Sequence, residues 1–181
     1  VNNLCAITSD QLTPVLINGR ILKSINQWYN KNPCKKNSRK RYWRLENYFH
    51  HVSKWIIDYC VKHGLGRIII GRNTFWKQRV KMRKKDKQNF QYVPFYLLIQ
   101  KIQYKAFLRG IEVLLPEESY TSKSSFFDGD PLPSYDEKVD YTFSGRRKHR
   151  GLYVTKDGFA VNADVQGSLN IGRKVIPEFF G

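Results

Sequence analysis

Three acidic residues occupy positions where this sequence could carry out chemistry. Glu117 and Glu118 follow the apolar run 111–115 and Pro116, and Asp164 opens the amphipathic stretch 163–174. A carboxylate just beyond a buried strand and another at a helix start can converge at one edge of a sheet. Such carboxylates suit Mg²⁺, a hard cation, and a pair of these ions can support phosphodiester cleavage. Solvated loop acids and an acid at a helix start are also common without any metal, so the pattern alone leaves both interpretations open.

Histidine and cysteine offer no second kind of site. The sequence contains no HExxH spacing and no Ser, His and Asp arrangement. Cys5, Cys34 and Cys60 lie far apart, and no CxxC pair exists. The sequence therefore predicts reduced thiols, with neither a disulfide framework nor a zinc ribbon.

Charge indicates the kind of partner. The 181 residues include 32 Lys and Arg against 15 Asp and Glu, a formal net charge of +17, which excludes most small-metabolite enzymes. Hydrophobic residues make up 41%, which excludes disorder throughout, and no apolar run approaches the length of a membrane span. A nucleic acid is favoured over an anionic membrane surface because aromatic residues interleave with the basic ones and can stack on bases.

The basic residues concentrate in three stretches, 31–44, 72–87 and 146–150. Taken singly, each stretch could be a solvated face, but the total charge argues against that for all three. The predicted nucleic-acid-binding residues are Lys35, Lys36, Arg39, Lys40, Arg41, Trp43 and Arg44 in the first; Arg72, Phe75, Trp76, Lys77, Arg79, Lys81, Arg83, Lys84 and Lys85 in the second; and Arg146, Arg147, Lys148 and Arg150 in the third.

Hydrophobic periodicity predicts an α/β fold. A helix–Gly–strand unit occurs twice in succession after a hairpin, which favours a mixed sheet flanked by helices. The predicted elements are strands at 4–8 and 14–22, the latter a hairpin around an Asn18-Gly19 type I′ turn; a helix at 41–63 ended by Gly64; a buried strand at 67–71; a helix at 94–109 ended by Gly110; a buried strand at 111–115; a long insertion at 119–160 with one weak hairpin near 151–161; and a closing helix at 163–174.

Several of these segments resemble one family. Residues 162–171 (Asn-Ala-Asp-Val-Gln-Gly-Ser-Leu-Asn-Ile) resemble the closing motif of the RuvC-like nuclease domain of TnpB proteins. These are accessory transposases of bacterial insertion sequences, related to type V CRISPR effectors and to eukaryotic Fanzor proteins. Residues 118–123 resemble the segment that leads into the family's zinc ribbon. Residues 1–4, 16–19 and 23–27 resemble the region after its first catalytic Asp, so the resemblance covers nearly the whole chain.

The resemblance implies an RNase H-like (RuvC-like) α/β fold, here with its first strand truncated, and an Asp-Glu-Asp metal site. It implies RNA-guided cleavage of DNA beside a short motif, linked to transposition and DNA recombination. The implied cofactor is magnesium, with manganese as a substitute. The implied partners are DNA and a guide RNA, with no membrane, in a cytoplasmic, nucleoid-associated protein. The oligomeric state stays open.

The sequence departs from the family pattern at three points. The first Asp falls about three residues before Val1, so the chain is expected to be a fragment that is inactive alone. The usual glutamate of the central strand falls at Gly71, and the resemblance assigns the acid instead to Glu118, three residues before Thr121. Ser124 stands where the first ribbon cysteine is expected, and no cysteine follows, so zinc is not predicted.

The predicted site therefore contains Glu118 and Asp164 as catalytic residues and magnesium ligands. The predicted organisation is a nuclease core at 1–118, an insertion without zinc ligands at 119–160, and the closing helix of the core at 161–181. The alternative function is a catalytically inactive DNA- or RNA-binding protein of the same fold. A ribosome-associated basic protein would share the charge but not the order of the motifs.

Overall fold

Helices and short strands make up a mixed α/β fold, as predicted. The computed structural model describes residues 3–72, 93–134, 140–149 and 151–178. In chain order the elements are β1 (Asn3–Ile7), β2 (Val15–Asn18), α1 (Arg20–Lys31), α2 (Lys35–Lys62), β3 (Arg67–Ile69), α3 (Phe95–Phe107), β4 (Glu112–Leu114), β5 (Arg146–His149), β6 (Leu152–Val154), β7 (Ala160–Asn162) and α4 (Ala163–Val175).

The described strands form three small sheets rather than the single mixed sheet that the sequence predicted. Their orders are β1–β2, β3–β4 and β5–β6–β7. The described residues divide into two units. The first unit contains residues 3–4, 18–68 and 93–114, and the second contains residues 5–17, 69–72, 115–134, 140–149 and 151–178.

The first unit is built around α2. Leu45, Phe49, Val52 and Ile56 recur on α2 at helical spacing and are buried, and α2 contacts both α1 and α3. Gly64 follows the end of α2 with φ +66°, the left-handed conformation that the sequence predicted. The helix begins six residues earlier than predicted, because the exposed Lys and Arg residues before position 41 are good helix formers.

The predicted hairpin at residues 14–22 is wrong. β2 ends at Asn18 and α1 begins at Arg20, while Gly19 has φ −102° rather than a positive value. Leu22 and Asn26 are buried one helical turn apart, so packing of α1 against α2 decides the structure here. Glycine is needed at position 19 for another reason, since a Cβ there would lie 2.8 Å from the backbone of Asn3.

The face of α3 that packs on α2 contains a buried lysine that the apolar pattern did not predict. Leu98, Ile102 and Ala106 are buried as expected, and Lys101 is buried beside them. Lys101 Nζ lies 3.1 Å from Glu46 Oε1 and 2.9 Å from His50 Nε2. These bonds between α2 and α3 satisfy a charge that would otherwise be costly to bury.

The strands predicted at 67–71 and 111–115 are shorter and less buried than expected. β3 and β4 have three residues each, with an exposed first residue and two half-buried ones. Beyond their ends, Arg72 and Glu117 form a parallel bridge, and the Arg72 N–H donates to the Pro116 carbonyl at 2.8 Å. The bridge brings position 71 beside the segment that carries the two glutamates.

In the second unit, the predicted weak hairpin is present as the antiparallel pair β6–β7, and a third strand, β5, was not predicted. β5 pairs with β6 in an antiparallel register and consists of Arg146, Arg147, Lys148 and His149, all exposed. Four basic residues are poor strand formers, so pairing with β6, rather than local preference, makes this strand. α4 begins and ends within one residue of the prediction.

No helix within the described ranges is both long enough and apolar enough to cross a membrane.

A buried carboxylate organises the loop between β4 and β5. Asp130 accepts the backbone N–H groups of Ser125 (2.8 Å) and Ser144 (2.9 Å) and the Ser144 hydroxyl (2.5 Å). Burial by itself raises the pKa of Asp130, but these hydrogen bonds and the nearby Arg173 lower it overall. Hydrogen bonds to a carboxylate thus hold this loop, which lies within the insertion predicted at 119–160.

This depressed pKa sets an expected pH dependence of stability. The contribution of Asp130 is complete above its ordinary pKa of about 3.9 and is lost as the pH falls through the lower folded-state value. We expect Asp130→Asn to lower the free energy of unfolding by about 1–3 kcal/mol at neutral pH, because a charged acceptor is lost. Urea unfolding across pH should show this difference shrinking below about pH 4.

The matched control is Asp157→Asn, which removes an exposed carboxylate from the same unit. It should change stability by less than about 0.5 kcal/mol at every pH. Equal effects of the two substitutions at neutral pH would contradict a special role for Asp130.

Candidate functional site

Glu118 lies against Gly71. A Cβ added to Gly71 would lie 2.7 Å from Glu118 Oε2 and 3.0 Å from Glu118 Cβ. The same Cβ would lie 2.7 Å from Ile171 Cδ1, so the side chains of Glu118 and Ile171 together fill the space that a side chain at position 71 would need. Burial, followed by repulsion from Glu117, raises the pKa of Glu118, and Lys174 opposes the shift. Such a half-buried carboxylate favours a cation as its neighbour.

The neighbouring Glu117 is engaged elsewhere. Its Oε2 accepts Lys174 Nζ at 2.8 Å, and its Oε1 accepts the Ser119 N–H at 2.6 Å. Burial raises the pKa of Glu117, but these bonds outweigh it and lower the pKa overall. Lys174, at the end of α4, is a partner that the sequence analysis missed. The two adjacent glutamates thus have different environments.

Asp164 lies in the first turn of α4, but it does not cap the helix. Asn162 is the cap, and its Oδ1 accepts the N–H groups of Asp164 (2.9 Å) and Val165 (3.3 Å). Burial, with a smaller contribution from the charge of Asp164, raises the pKa of the Cys5 thiol to about 12. The carboxylate of Asp164 is therefore close to β1, and the capping role that would compete with metal binding belongs to Asn162.

The donor chemistry of these two acids fits a hard cation such as Mg²⁺, but two acids make an incomplete site. Within the described residues, no group of three or more His, Cys, Asp or Glu side chains is close enough to hold a metal. Glu118 and Asp164 could supply two oxygen ligands, with water and substrate phosphate oxygens completing the shell.

The first and third basic stretches are largely exposed. Lys35, Lys36, Arg39 and Lys40 project from the first turns of α2, and Trp43 is 65% exposed. Arg44 lies over the ring of Trp28 at 4.4 Å, and Arg41 over Tyr29 at 4.3 Å, so both guanidinium groups also contact α1.

In the second and third stretches, several predicted binding residues lie outside the described part of the chain. Arg72 is exposed, as are the residues of β5. The residues outside the described ranges are Phe75, Trp76, Lys77, Arg79, Lys81, Arg83, Lys84, Lys85 and Arg150.

Exposed aromatic rings near the Asp130 loop were missed by the sequence analysis. Phe127 and Phe159 are about half exposed, and their ring centroids lie 5.6 Å apart in an edge-to-face pair. Phe126 contacts Phe127 in the same manner at 5.3 Å. The Phe126-Phe127 doublet was the available signal, and rings so placed can stack on bases.

The fold belongs to the mixed α/β class, with short sheets and the acids Glu118 and Asp164 in one unit. Residues 95–171 match the family model described as Cas12f1-like, TNB domain. The chain is also similar to Cas12f1 in the cryo-EM structure of a Cas12f1–sgRNA–target DNA complex, with a TM-score of 0.56 and 16% identity. That match covers 90% of this chain and 44% of the Cas12f1 chain, so this chain spans less than half the length of that Cas12f1 chain.

No curated protein matches the sequence. The family model covers the carboxyl-terminal part of the chain, and the structural match concerns the fold. Together the two findings show a likeness to Cas12f1 in the sequence of residues 95–171 and in the fold.

Proposed function

We propose that this chain is the RuvC-like nuclease part of a TnpB-like, transposon-encoded protein that cleaves DNA under the direction of a guide RNA. Its fold would then be RNase H-like, with Glu118 and Asp164 as magnesium ligands. The observation that carries the proposal is the contact between Glu118 and Gly71. The resemblance expects an acid at the end of the central strand, and the Glu118 carboxylate occupies the space beside that position.

The environment of each acid supports this assignment. Asp164 leaves the capping of α4 to Asn162, and Glu117 is neutralised by Lys174, so Glu118 is the acid of the pair that remains for a cation. Glu118 and Asp164 would hold magnesium, and the chemistry that the ion would supply is the activation of water and the stabilisation of the leaving oxygen of a phosphodiester. The exposed basic residues of α2 and β5 would hold the phosphate backbone of the nucleic acid.

The substrates follow from the same relationship. The Cas12f1 of the matched structure is bound to sgRNA and target DNA. We infer that this chain takes nucleic acids of the same two kinds, and that its net charge of +17 supports their binding.

Metal binding can be tested on this chain as it is, with Mn²⁺ as the probe. We expect Mn²⁺ to broaden amide NMR signals selectively around Gly71, Glu118 and Asp164. Glu118→Gln and Asp164→Asn should each weaken this binding by about tenfold to a hundredfold, since each removes a ligand oxygen's charge. Titration of ¹⁵N-labelled protein measures the effect.

Glu117→Gln is the matched control, because it removes an adjacent carboxylate that is already paired with Lys174. It should leave the affinity for Mn²⁺ within about twofold of the unchanged chain. Broadening spread evenly over the exposed acids, and unaffected by Glu118→Gln or Asp164→Asn, would reject the metal site and favour the catalytically inactive binding protein.

A further inference from the structure

One face of α4 is polar and buried, which is unusual for the inner face of a helix. Gln166, Asn170 and Arg173 recur at helical spacing, and both Gln166 and Asn170 are completely buried. Amides are rarely retained at such positions unless their hydrogen bonds serve a purpose. Their partners all lie in one segment of the chain, residues 121–130.

The two amides hold the backbone of that segment. Asn170 Nδ2 donates to the carbonyls of Thr121 (2.9 Å) and Ser124 (2.7 Å), and Gln166 Nε2 donates to the same Ser124 carbonyl. Gln166 Oε1 in turn accepts the Phe126 N–H at 3.3 Å. The loop is therefore fixed to α4 at its main chain, independently of its side-chain identities.

Arg173 extends the same contact by one turn. Its Nη2 donates to the Asp130 carbonyl at 2.5 Å, and its guanidinium lies 5.5 Å from the centre of the Phe126 ring. Because Asp130 also binds Ser144, this end of the loop is tied both to α4 and to the residue two positions before β5.

The segment held in this way begins three residues after the candidate ligand Glu118. The Thr121 hydroxyl donates to the Glu118 carbonyl at 2.8 Å, and the Thr121 carbonyl is a partner of Asn170. At the other end, Asp164 lies two residues before Gln166 on the same helix. A continuous path of short hydrogen bonds and helix backbone thus joins the two acids.

The arrangement leaves one polar atom of Asn170 unsatisfied. Its Oδ1 is buried and accepts no hydrogen bond from any described residue. A buried acceptor without a partner destabilises a protein, and this cost counts against the two hydrogen bonds that the same amide donates. The two donated bonds are the physical reason to keep an amide here.

We propose that Gln166, Asn170 and Arg173 are positioning residues that set the separation of Glu118 and Asp164 by clamping residues 121–130 onto α4. This inference rests on the proposed metal site. The polar face of α4 would hold the segment that follows Glu118 against the helix that carries Asp164.

The test measures Mn²⁺ affinity by the same NMR titration, together with thermal unfolding, for Asn170→Leu in the full chain. The leucine keeps the branching at Cγ, is somewhat larger than asparagine, and removes both donated bonds. We expect Asn170→Leu to keep its fold, with a lower thermal transition because the buried Thr121 carbonyl loses its donor, while its Mn²⁺ affinity falls by about tenfold, as when outer partners of a metal ligand are lost. Asn170→Gln, which can still donate, should recover part of the affinity.

Ser168→Ala is the matched control on the same helix. Ser168 Oγ contacts Thr8 Oγ1 at 2.9 Å rather than the loop, so its loss should leave the Mn²⁺ affinity unchanged. If Asn170→Leu does not fold, Gln166→Met, which removes the bonds to Ser124 and Phe126, is measured in its place with the same expectation.

The outcomes separate this inference from the proposed function. If Glu118→Gln and Asp164→Asn weaken Mn²⁺ binding but the folded clamp variant binds as tightly as the unchanged chain, the positioning role is overturned and the metal site stands. If Glu118→Gln and Asp164→Asn have no effect, the metal site itself fails, and the clamp is only structural.

Discussion

Replacing Glu118 by Gln should reduce Mg²⁺-dependent DNA cleavage by at least about a hundredfold, as should Asp164→Asn. The protein to assay is extended before Val1 by a strand that ends in an aspartate, as the proposed function requires, and is supplied with a guide RNA. Each substitution keeps the shape of the side chain and removes the charge that would hold the cation. The basic surface is untouched, so DNA binding measured by filter retention should stay within about twofold.

Glu117→Gln is the control, and it should cleave at close to the normal rate because Lys174 and the Ser119 N–H already occupy that carboxylate. If Glu118→Gln keeps full activity and Glu117→Gln loses it, the metal ligand is Glu117 rather than Glu118. Full activity in both would place the third acid elsewhere.

The position of the Glu118 carboxylate can be tested more sharply by moving the acid. In a Glu118→Ser background, Gly71→Glu should restore part of the lost cleavage, because a side chain at position 71 enters the space that Glu118 vacates once the end of the flexible Ile171 side chain turns aside. Gly71→Glu with Glu118 retained should instead be poorly active, since two carboxylates would compete for one space. No recovery in a well-folded double variant would contradict the shared location.

Nucleic-acid affinity should fall by on the order of 10³-fold when salt is raised from about 50 to about 200 mM. This estimate assumes that six or more phosphates are neutralised, each releasing counterions. Filter binding to duplex DNA over this range gives the slope. A flat response to salt would reject the assignment of the basic stretches to a phosphate-binding surface.

The contribution of β5 to that slope can be isolated. Replacing Arg146, Arg147 and Lys148 together by Ala should reduce the slope by about three units, one for each phosphate that these side chains would neutralise. The control variant carries Lys54→Ala and Arg67→Ala, whose side chains pair with Asp58 and Glu112. It should change the slope little, although it also removes positive charge.

Local signals predicted three of the four described helices, although α2 begins six residues earlier than expected and α1 was not predicted. The apolar spacing of α2, α3 and α4 and the glycines after the first two of these helices were sufficient, because packing and local preference agree there. The Asn18-Gly19 signal failed because Leu22 and Asn26 pack α1 against α2, and a tertiary contact outweighed the turn preference. β5 was missed for the same reason, since its strand exists only through pairing with β6.

Of the candidate site, the sequence predicted only two acids, one after a strand and one at the start of a helix. Glu118 and Asp164 could be chosen from the scarcity of acids and the resemblance, but their different environments depend on residues distant in sequence. Three contacts of the folded chain create these environments: Lys174 pairs with Glu117, Asn162 caps α4, and Asn170 donates to the Thr121 carbonyl. No spacing rule relates such residues before the fold is known.

The edge position of β5 has a consequence for the behaviour of the protein in solution. Among the described strands β5 pairs only with β6, so its other edge presents backbone groups that a strand of a second molecule could bind. Arg146, Arg147, Lys148 and His149 are all exposed on this strand. Positive charges along an open edge repel an identical edge and hinder aggregation by strand pairing. A partner rich in phosphate, by contrast, would be attracted to the same row of charges.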